Sequence, residues 1–310
     1  MSDTWVTVMG SFVADLAFRT SHLPAWGQTV MGSEFRLGPG GKGSNQAVAA
    51  ARLGGKVSFI SKLGNDPFGD LARKTYKEER IDSRFCFSTS EHATGAAAII
   101  VHDIKGENGI IVVPGACFQL TIEDVDCAIP LITESSIFLT QLELPVPVVE
   151  HGLEVAHRLG VPTILNPAPA FALPNSIYQH CDYVTPNESE AATLTGKAVF
   201  DVGDAERAAD VLLARGVRNV VITLGEKGAF VKNSHVAELV PAFDAGPVVE
   251  TTGAGDAFNG ALAIGLSEGL NLVSAVRFGC AAAGISVTRH GTAPSMPKRL
   301  EVDALLKHSL

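Results

Sequence analysis

The stretch Thr251-Thr252-Gly253-Ala254-Gly255-Asp256-Ala257-Phe258-Asn259-Gly260 passes from turn residues straight into a helical pattern. The first N–H groups of a helix have no intrahelical acceptor, and the helix dipole is positive at that end, so such a segment is suited to face an anion. Gly253 and Gly255 let the backbone approach a bound group closely. Asp256 has two readings. It is a favoured N-cap residue. It is also a carboxylate beside an anion hole, the pairing needed by a base that takes a proton from a hydroxyl attacking phosphorus.

Three further stretches carry oxygen-rich or glycine-rich chemistry. Gly38-Pro39-Gly40-Gly41-Lys42-Gly43-Ser44-Asn45 contains the glycine spacing of a dinucleotide fingerprint. It does not directly follow the first strand, which ends at Gly10, and it lacks an acid about 20 residues on. Lys42 is followed by Gly43 rather than Ser or Thr, so it is not a P-loop either. It reads as a flexible, cationic loop whose N–H groups, Lys42 and Asn45 suit hydroxyls or an anion, or as a tight turn into a small-residue helix packed on a sheet. In Thr185-Pro186-Asn187-Glu188-Ser189-Glu190, Asn187 and Glu190 share a helix face and could hold Mg²⁺ directly or through water. The same pair fits a capping box. Thr223-Leu224-Gly225-Glu226-Lys227-Gly228 follows a strand and could lie under a nucleotide phosphate, or be a plain tight turn.

These stretches need a scaffold, and the pattern supplies one. Apolar, β-branched runs at 6–9, 57–63, 136–142, 163–165, 182–185 and 219–223 read as strands. Helical periodicity covers 45–53, 67–79, 122–129, 147–159, 188–194, 205–214, 255–268 and 272–287, with Gly54, Gly160 and Gly216 as left-handed residues just past helix ends. Buried strands alternating with helices predict a parallel sheet covered on both faces, with ligands at the carboxyl ends of its strands. Segments 12–37 and 93–113 break the alternation; both read as strands joined by turns, at Pro24-Ala25-Trp26-Gly27 and Lys105-Gly106-Glu107-Asn108-Gly109, and together predict a small separate sheet or two surface hairpins.

Composition narrows the partners. At 46% hydrophobic and 18% charged residues the chain is too apolar for disorder. Acidic residues outnumber basic ones by 33 to 24 without a basic block, which argues against nucleic acid. The cysteines Cys86, Cys117, Cys127, Cys181 and Cys280 are scattered and form no C-x-x-C pair, so neither a disulfide framework nor a zinc site is expected, and a reducing cytoplasm fits. No basic region followed by an apolar run opens the sequence, and no apolar stretch approaches the roughly 18 residues that span a bilayer.

The order and joint presence of these stretches resemble the ribokinase family of carbohydrate kinases, the PfkB family, over essentially the whole chain. Gly40-Gly41-Lys42-Gly43-x-Asn45-Gln46 and Gly253-Ala254-Gly255-Asp256-x-Phe258-x-Gly260 are the family's two diagnostic stretches. Gly10-Ser11 with Asp15, Gln141-Leu142-Glu143, Asn166-Pro167-Ala168-Pro169 and Val287-Thr288-Arg289-His290-Gly291 add to the likeness.

The resemblance implies one ribokinase-like domain over 1–310, a three-layer αβα body with a mostly parallel sheet, and a small β lid from segments 12–37 and 93–113. It implies a homodimer through that lid. It implies ATP-dependent phosphorylation of the terminal hydroxyl of a small sugar, D-ribose first, with 2-deoxyribose, fructose or a nucleoside as alternatives. A non-catalytic sugar-binding regulator on the same fold is a further alternative. By resemblance the sugar lies against Asp15, Gly41, Lys42, Asn45 and Glu143. Asp256 is the base, and the backbone of Gly253, Ala254 and Gly255 is the anion hole. Asn187 and Glu190 organise Mg²⁺, while Asn187, Thr223, Gly225, Gly228, Gly255 and Cys280 line the ATP site. A monovalent cation such as K⁺ is expected near Glu250, Thr252, Ser286, Arg289, Gly291 and Ser295. Two positions depart from the family: Glu250 stands where Asp is usual, and Cys280 where Asn or His is common.

Overall fold

Alternation along the strands sorts their side chains into two cores. In the computed structural model, which describes residues 5–103 and 108–308, Val6, Val8, Phe59, Ile137, Leu139, Ile164 and Val221 join one core. Met9, Ile60, Phe138, Leu165, Val220 and Ile222 join the other. Successive side chains on a strand point to opposite faces, so a sheet with two apolar faces must be covered twice.

In chain order the elements are β1 (Trp5–Met9), β2 (Val13–Thr20), β3 (Glu34–Gly40), α1 (Lys42–Arg52), β4 (Lys56–Gly64), α2 (Pro67–Glu78), β5 (Asp82–Thr89), β6 (Thr94–His102) and β7 (Asn108–Gly115). There follow α3 (Ile122–Cys127), α4 (Ile129–Thr133), β8 (Ile137–Gln141), α5 (Val146–Arg158), β9 (Thr163–Asn166), β10 (Tyr183–Val184), α6 (Glu188–Thr195), α7 (Val202–Ala214) and β11 (Asn219–Thr223). The chain closes with β12 (Ala229–Lys232), β13 (Ala237–Val240), α8 (Ala254–Ser267), α9 (Leu272–Ser286) and α10 (Arg299–His308).

The central sheet has nine strands in the order β13-β12-β11-β10-β9-β8-β1-β4-β5. It is parallel except where β12 and β13 join antiparallel. Helices α1, α2, α8, α9 and α10 cover one face and α3 to α7 the other. A second sheet of four strands runs β3-β2-β6-β7. It comes from the two segments without helical period, and it starts only three residues after β1 ends. Among the described residues no helix is long and apolar enough to cross a membrane.

Gly54, Gly160 and Gly216 adopt positive φ as expected. The glycine cluster at 38–45 is not a loop. Strand β3 runs through Gly40 and α1 starts at Lys42, leaving Gly41 (φ 86°) as the whole turn. The lid strands therefore reach past the expected 37 and 113, to Gly40 and Gly115. Of the expected turn at 105–109, residues 105–107 lie outside the described residues. Strands β5, β12 and β13 and helix α10 are additions to the sequence reading. β5 is the outer strand beside β4, with Phe85, Cys86 and Phe87 consecutive among polar residues and none of them fully buried, and α10 buries only Val302 fully, so neither shows a clear apolar period.

The start of α1 fits against the loop after β1 with no room to spare. A Cβ on Gly43 would sit 2.6 Å from the Gly10 Cα and 2.8 Å from its carbonyl carbon. Both neighbours are backbone and cannot swing aside. Gly43→Ala is expected to lower stability by about 1–3 kcal/mol, the usual range for overpacking a filled interior. A urea titration checks it; an unchanged midpoint would show that the two segments separate freely.

Candidate active site

The carboxyl ends of the central strands open onto a cavity lined by Lys42, Asn187, Glu190, Thr223, Gly253, Gly255 and Asp256. The sequence places these residues hundreds of positions apart; the parallel sheet brings the strand ends and helix starts to one edge.

Asp256 is not the cap of α8. Gly253 is the N-cap, in left-handed conformation (φ 87°), and Asp256 sits three residues into the helix. The cap reading of Asp256 is therefore corrected: its carboxylate makes no capping bond and instead turns to α1. One oxygen accepts from Asn45 Nδ2 at 2.9 Å and the other from Gln46 Nε2 at 3.0 Å. The side chain is 7% exposed. Burial raises its pKa above the usual carboxylate value, while Lys42 and the Asn45 and Gln46 amides oppose the rise. Gly255 lines the cavity, and a Cβ there would meet nothing within 4 Å. The start of α8 thus presents bare backbone to open space. The Ala254 N–H donates to the Thr251 carbonyl at 3.2 Å, and helix geometry supplies no intrahelical acceptor for the Gly255 N–H.

Lys42 opens α1. Burial works to lower its pKa, but Asp256, Glu143 and Glu190 outweigh that and leave it raised and charged. Glu143, just past β8, accepts from the Lys42 backbone N–H at 3.0 Å and from the Ser11 hydroxyl. Asn187 and Glu190 form the capping box in full: Asn187 Oδ1 accepts from Glu190 N, and Glu190 Oε2 from Asn187 N. The pair also lines the cavity, so the structural role coexists with exposure to a ligand.

Asp15, on β2, opens to a neighbouring cleft between the lid and the 290–294 turn, with Arg19, Arg36, Glu250 and His290. It accepts from Thr292 Oγ1 at 2.9 Å. Burial pushes its pKa up to about 6; the Thr292 bond opposes this, and the charges of Glu143, Asp256 and Glu250 add to it. Gly40 is required beneath it, since a Cβ there would fall 2.3 Å from the carboxylate.

Other expected site residues lie elsewhere. Gly225 starts a short 3₁₀ turn at positive φ, and Gly228 (φ 105°) is a fold requirement, because a Cβ would meet the Val240 carbonyl at 2.0 Å. Neither lines the cavity. Cys280 is 5% exposed within α9, its thiol pushed up to about 12 by burial, so it packs as an apolar side chain. The expected cation residues are partly committed to one another. Glu250 Oε2 accepts from Gly291 N at 3.0 Å and lies 3.6 Å from His290 Nδ1. Arg289 pairs with Glu301. The hydroxyls of Ser286 and Ser295 donate to the carbonyls of Ala283 and Thr292. Thr252, in the turn ahead of α8, lines neither opening.

The site also contains residues to which the sequence reading gave no role: Gln46, Gln141, Asn166, Thr185 and Asn259. Their signal was in plain view, as amides inside short motifs, but nothing in a motif says which amide touches which carboxylate.

An open helix start, a buried carboxylate and a charged lysine meet at one strand edge, groups whose chemistry suits stabilising an anion and accepting a hydroxyl proton. Residues 3–299 match the family model for pfkB family carbohydrate kinases. The chain is 40% identical over 304 residues to a ribokinase of Haemophilus influenzae, covering 98% of this chain and 99% of that one. It is 41% identical over 307 residues to a ribokinase of Mus musculus, covering 97% and 94%. The structure of Arabidopsis thaliana ribokinase complexed with ribose and ATP superposes with a TM-score of 0.91, at 30% identity and 99% coverage of both chains. The chain belongs to the pfkB family, and it is a carbohydrate kinase.

The raised pKa of Asp15 has a stability consequence. The folded state keeps the proton to about pH 6, whereas an unfolded Asp releases it near pH 4. Between those values the folded state binds more protons, so this group's contribution to stability falls as pH rises. Asp15→Asn is therefore expected to gain stability relative to the parent between pH 4 and 6, by on the order of 1–3 kcal/mol. Paired denaturant titrations measure it, and a difference flat across that window would contradict the shift.

Proposed function

We propose that the protein transfers the terminal phosphoryl group of ATP to the terminal hydroxyl of D-ribose, giving ribose 5-phosphate. The carrying observation is Asp256: a buried carboxylate held by two amides, lining the same cavity as Lys42 and the open backbone at Gly255. Asp256 takes the hydroxyl proton as the sugar oxygen attacks phosphorus, and the bond to the ADP oxygen breaks. The backbone of Gly253, Ala254 and Gly255 and the Lys42 ammonium stabilise the charge on the moving group. Asp15, Gly41, Asn45 and Glu143 hold the sugar's hydroxyls, a set of paired polar contacts that rejects an analogue lacking one of them. Thr223 and Asn187 lie under the nucleotide phosphates.

The residues present fit Mg²⁺ as a companion of the nucleotide. Glu190 and Asn187 bring oxygens to the cavity. Among the described residues no cluster of three or more His, Cys, Asp or Glu could cage a metal. Phosphate oxygens and water would therefore complete its coordination, the usual arrangement for Mg²⁺. When bound, the ion neutralises phosphate charge. A monovalent cation fits beside Glu250 and the backbone of the 286–295 turn; turnover that rises with added K⁺ is the expected outcome, and turnover indifferent to K⁺ would remove the assignment. The enzyme works in the cytoplasm, which agrees with five free cysteines.

The chemistry is tested by Asp256→Asn. Turnover is expected to fall about 10²–10⁴-fold while ATP and ribose still bind by calorimetry. Activity within a fewfold of the parent would remove Asp256 as base. On a panel of ribose, 2-deoxyribose, fructose and nucleosides, ribose is expected to give the highest kcat/KM; another sugar ahead of it replaces ribose as substrate.

The lid supports a homodimer. Phe18, Phe35, Leu37, Ile111 and Val113 lie on one face of its sheet, with Phe35 54% and Ile111 68% exposed. An apolar face of that kind marks an interaction surface. The double variant Phe35→Glu, Ile111→Lys is expected to sediment at half the mass of the parent; a parent that sediments as a monomer would refute the dimer.

A further inference from the structure

The amides around Asp256 form a chain with one permitted direction. It starts at the Thr185 backbone carbonyl, which can only accept, and which receives Asn166 Nδ2 at 3.1 Å. Asn166 must therefore turn its Oδ1 the other way, where it receives Gln46 Nε2 at 3.0 Å. The same Gln46 nitrogen donates to Asp256 Oδ1 at 3.0 Å. Gln46 Oε1 then faces away from Asp256 and receives Gln141 Nε2 at 2.6 Å. Amide orientation is settled by such networks. Flipping Gln46 would set its oxygen against two acceptors and its nitrogen against the Gln141 donor.

Stability does not account for this chain. Gln46 and Gln141 are 0% and 1% exposed, and Gln141 Oε1 is buried without a hydrogen-bond partner. A partly satisfied buried network is less stable than an apolar one of the same shape. Room for it is also reserved: a Cβ on Gly10 would fall 2.2 Å from Gln141 Oε1.

We propose that Gln46 is a positioning residue for phosphoryl transfer, its amide fixed in direction by Asn166 and Gln141 so that it holds one oxygen of Asp256 while Asn45 holds the other. This rests on the reading of Asp256 as the base. With one donor on each oxygen the carboxylate has a single orientation and keeps a lone pair for the sugar hydroxyl. Charged groups that act on Asp256 come from four other places: Lys42 at the start of α1, Glu143 after β8, Asp15 on β2 and Glu190 on α6. Gln46 is neutral, so its removal changes no charge. It removes a donor to the ionised form, and Asp256 should then take up a proton at higher pH.

The test is Gln46→Met, close in shape but without a donor, assayed with ATP and ribose. The expected result is a kcat lower by roughly 10-fold or more, KM values within about threefold, and an acid limb of the kcat profile moved up by about one pH unit. A kcat within twofold of the parent overturns the proposal. So does a lowered kcat with an unmoved acid limb, which would mean a structural role only. If Gln46→Met fails to fold, Gln141→Met decides: it removes only the group that orients Gln46 and should move the limb the same way by less, and no movement overturns the proposal. Asp256→Asn is run alongside. Near-parental turnover there defeats the base reading itself, whereas an inactive Asp256→Asn with an unmoved Gln46→Met limb defeats only the role of Gln46.

Discussion

A carboxyl base must be ionised to accept a proton, and a site that excludes water works against that charge. Asp256 meets both demands because its two hydrogen-bond donors come from α1, not from its own helix. That arrangement fixes how α1 and α8 must lie. A Cβ on Gly260 would come within 2.7 Å of the Gln46 carbonyl and 2.6 Å of the Ala49 Cβ. Small residues on both helices let them close to that distance. Gly43 against Gly10 then fixes α1 to the end of β1. Gly43 and Gly260 of the two diagnostic stretches are thus explained by helix packing, before any substrate is considered.

The surroundings of that carboxylate are acidic. Asp15, Glu143 and Glu190 act on it, with Lys42 the cation that lines its cavity. An anionic nucleotide cannot be drawn in by side-chain charge under those conditions. The helix N-terminus, positive by its dipole, favours an anion there. This is consistent with an acidic protein that uses nucleotides yet shows no basic surface block.

The sheet and most helices were legible in the sequence because buried strands and amphipathic helices impose different periods. Elements with little burial were not: β5 and α10 expose too much of their surface to show a period. Candidate site residues were legible where residue type and motif coincide, as at Asp256 and Lys42, which line the same cavity. Asn187 and Glu190 were legible twice over, since both the capping box and the cavity exposure are present. What composition and spacing could not show was direction. Asp256 looked like a cap because it stands near a helix start, but its position three residues into α8 points it across to a helix more than 200 positions earlier in the chain. Gln46 and Gln141 are ordinary residues until the fold brings them to one line. Gly228 shows the ambiguity in the opposite sense, since a turn that packs on backbone uses the same residue as a turn that holds phosphate.

The bond from Thr292 to Asp15 joins residues 277 positions apart. Arg52 reinforces it by donating to the carbonyls of Ala293, Pro294 and Met296. During synthesis from the amino end, both small-sheet segments and α1 leave the ribosome long before that turn exists. Domains generally fold as units during synthesis, yet Asp15 cannot acquire its partner until Thr292 has been made. A polypeptide that terminates before the turn can carry a complete lid sheet and still lack a settled Asp15. The 292–296 turn therefore settles a residue that was made some 277 positions before it.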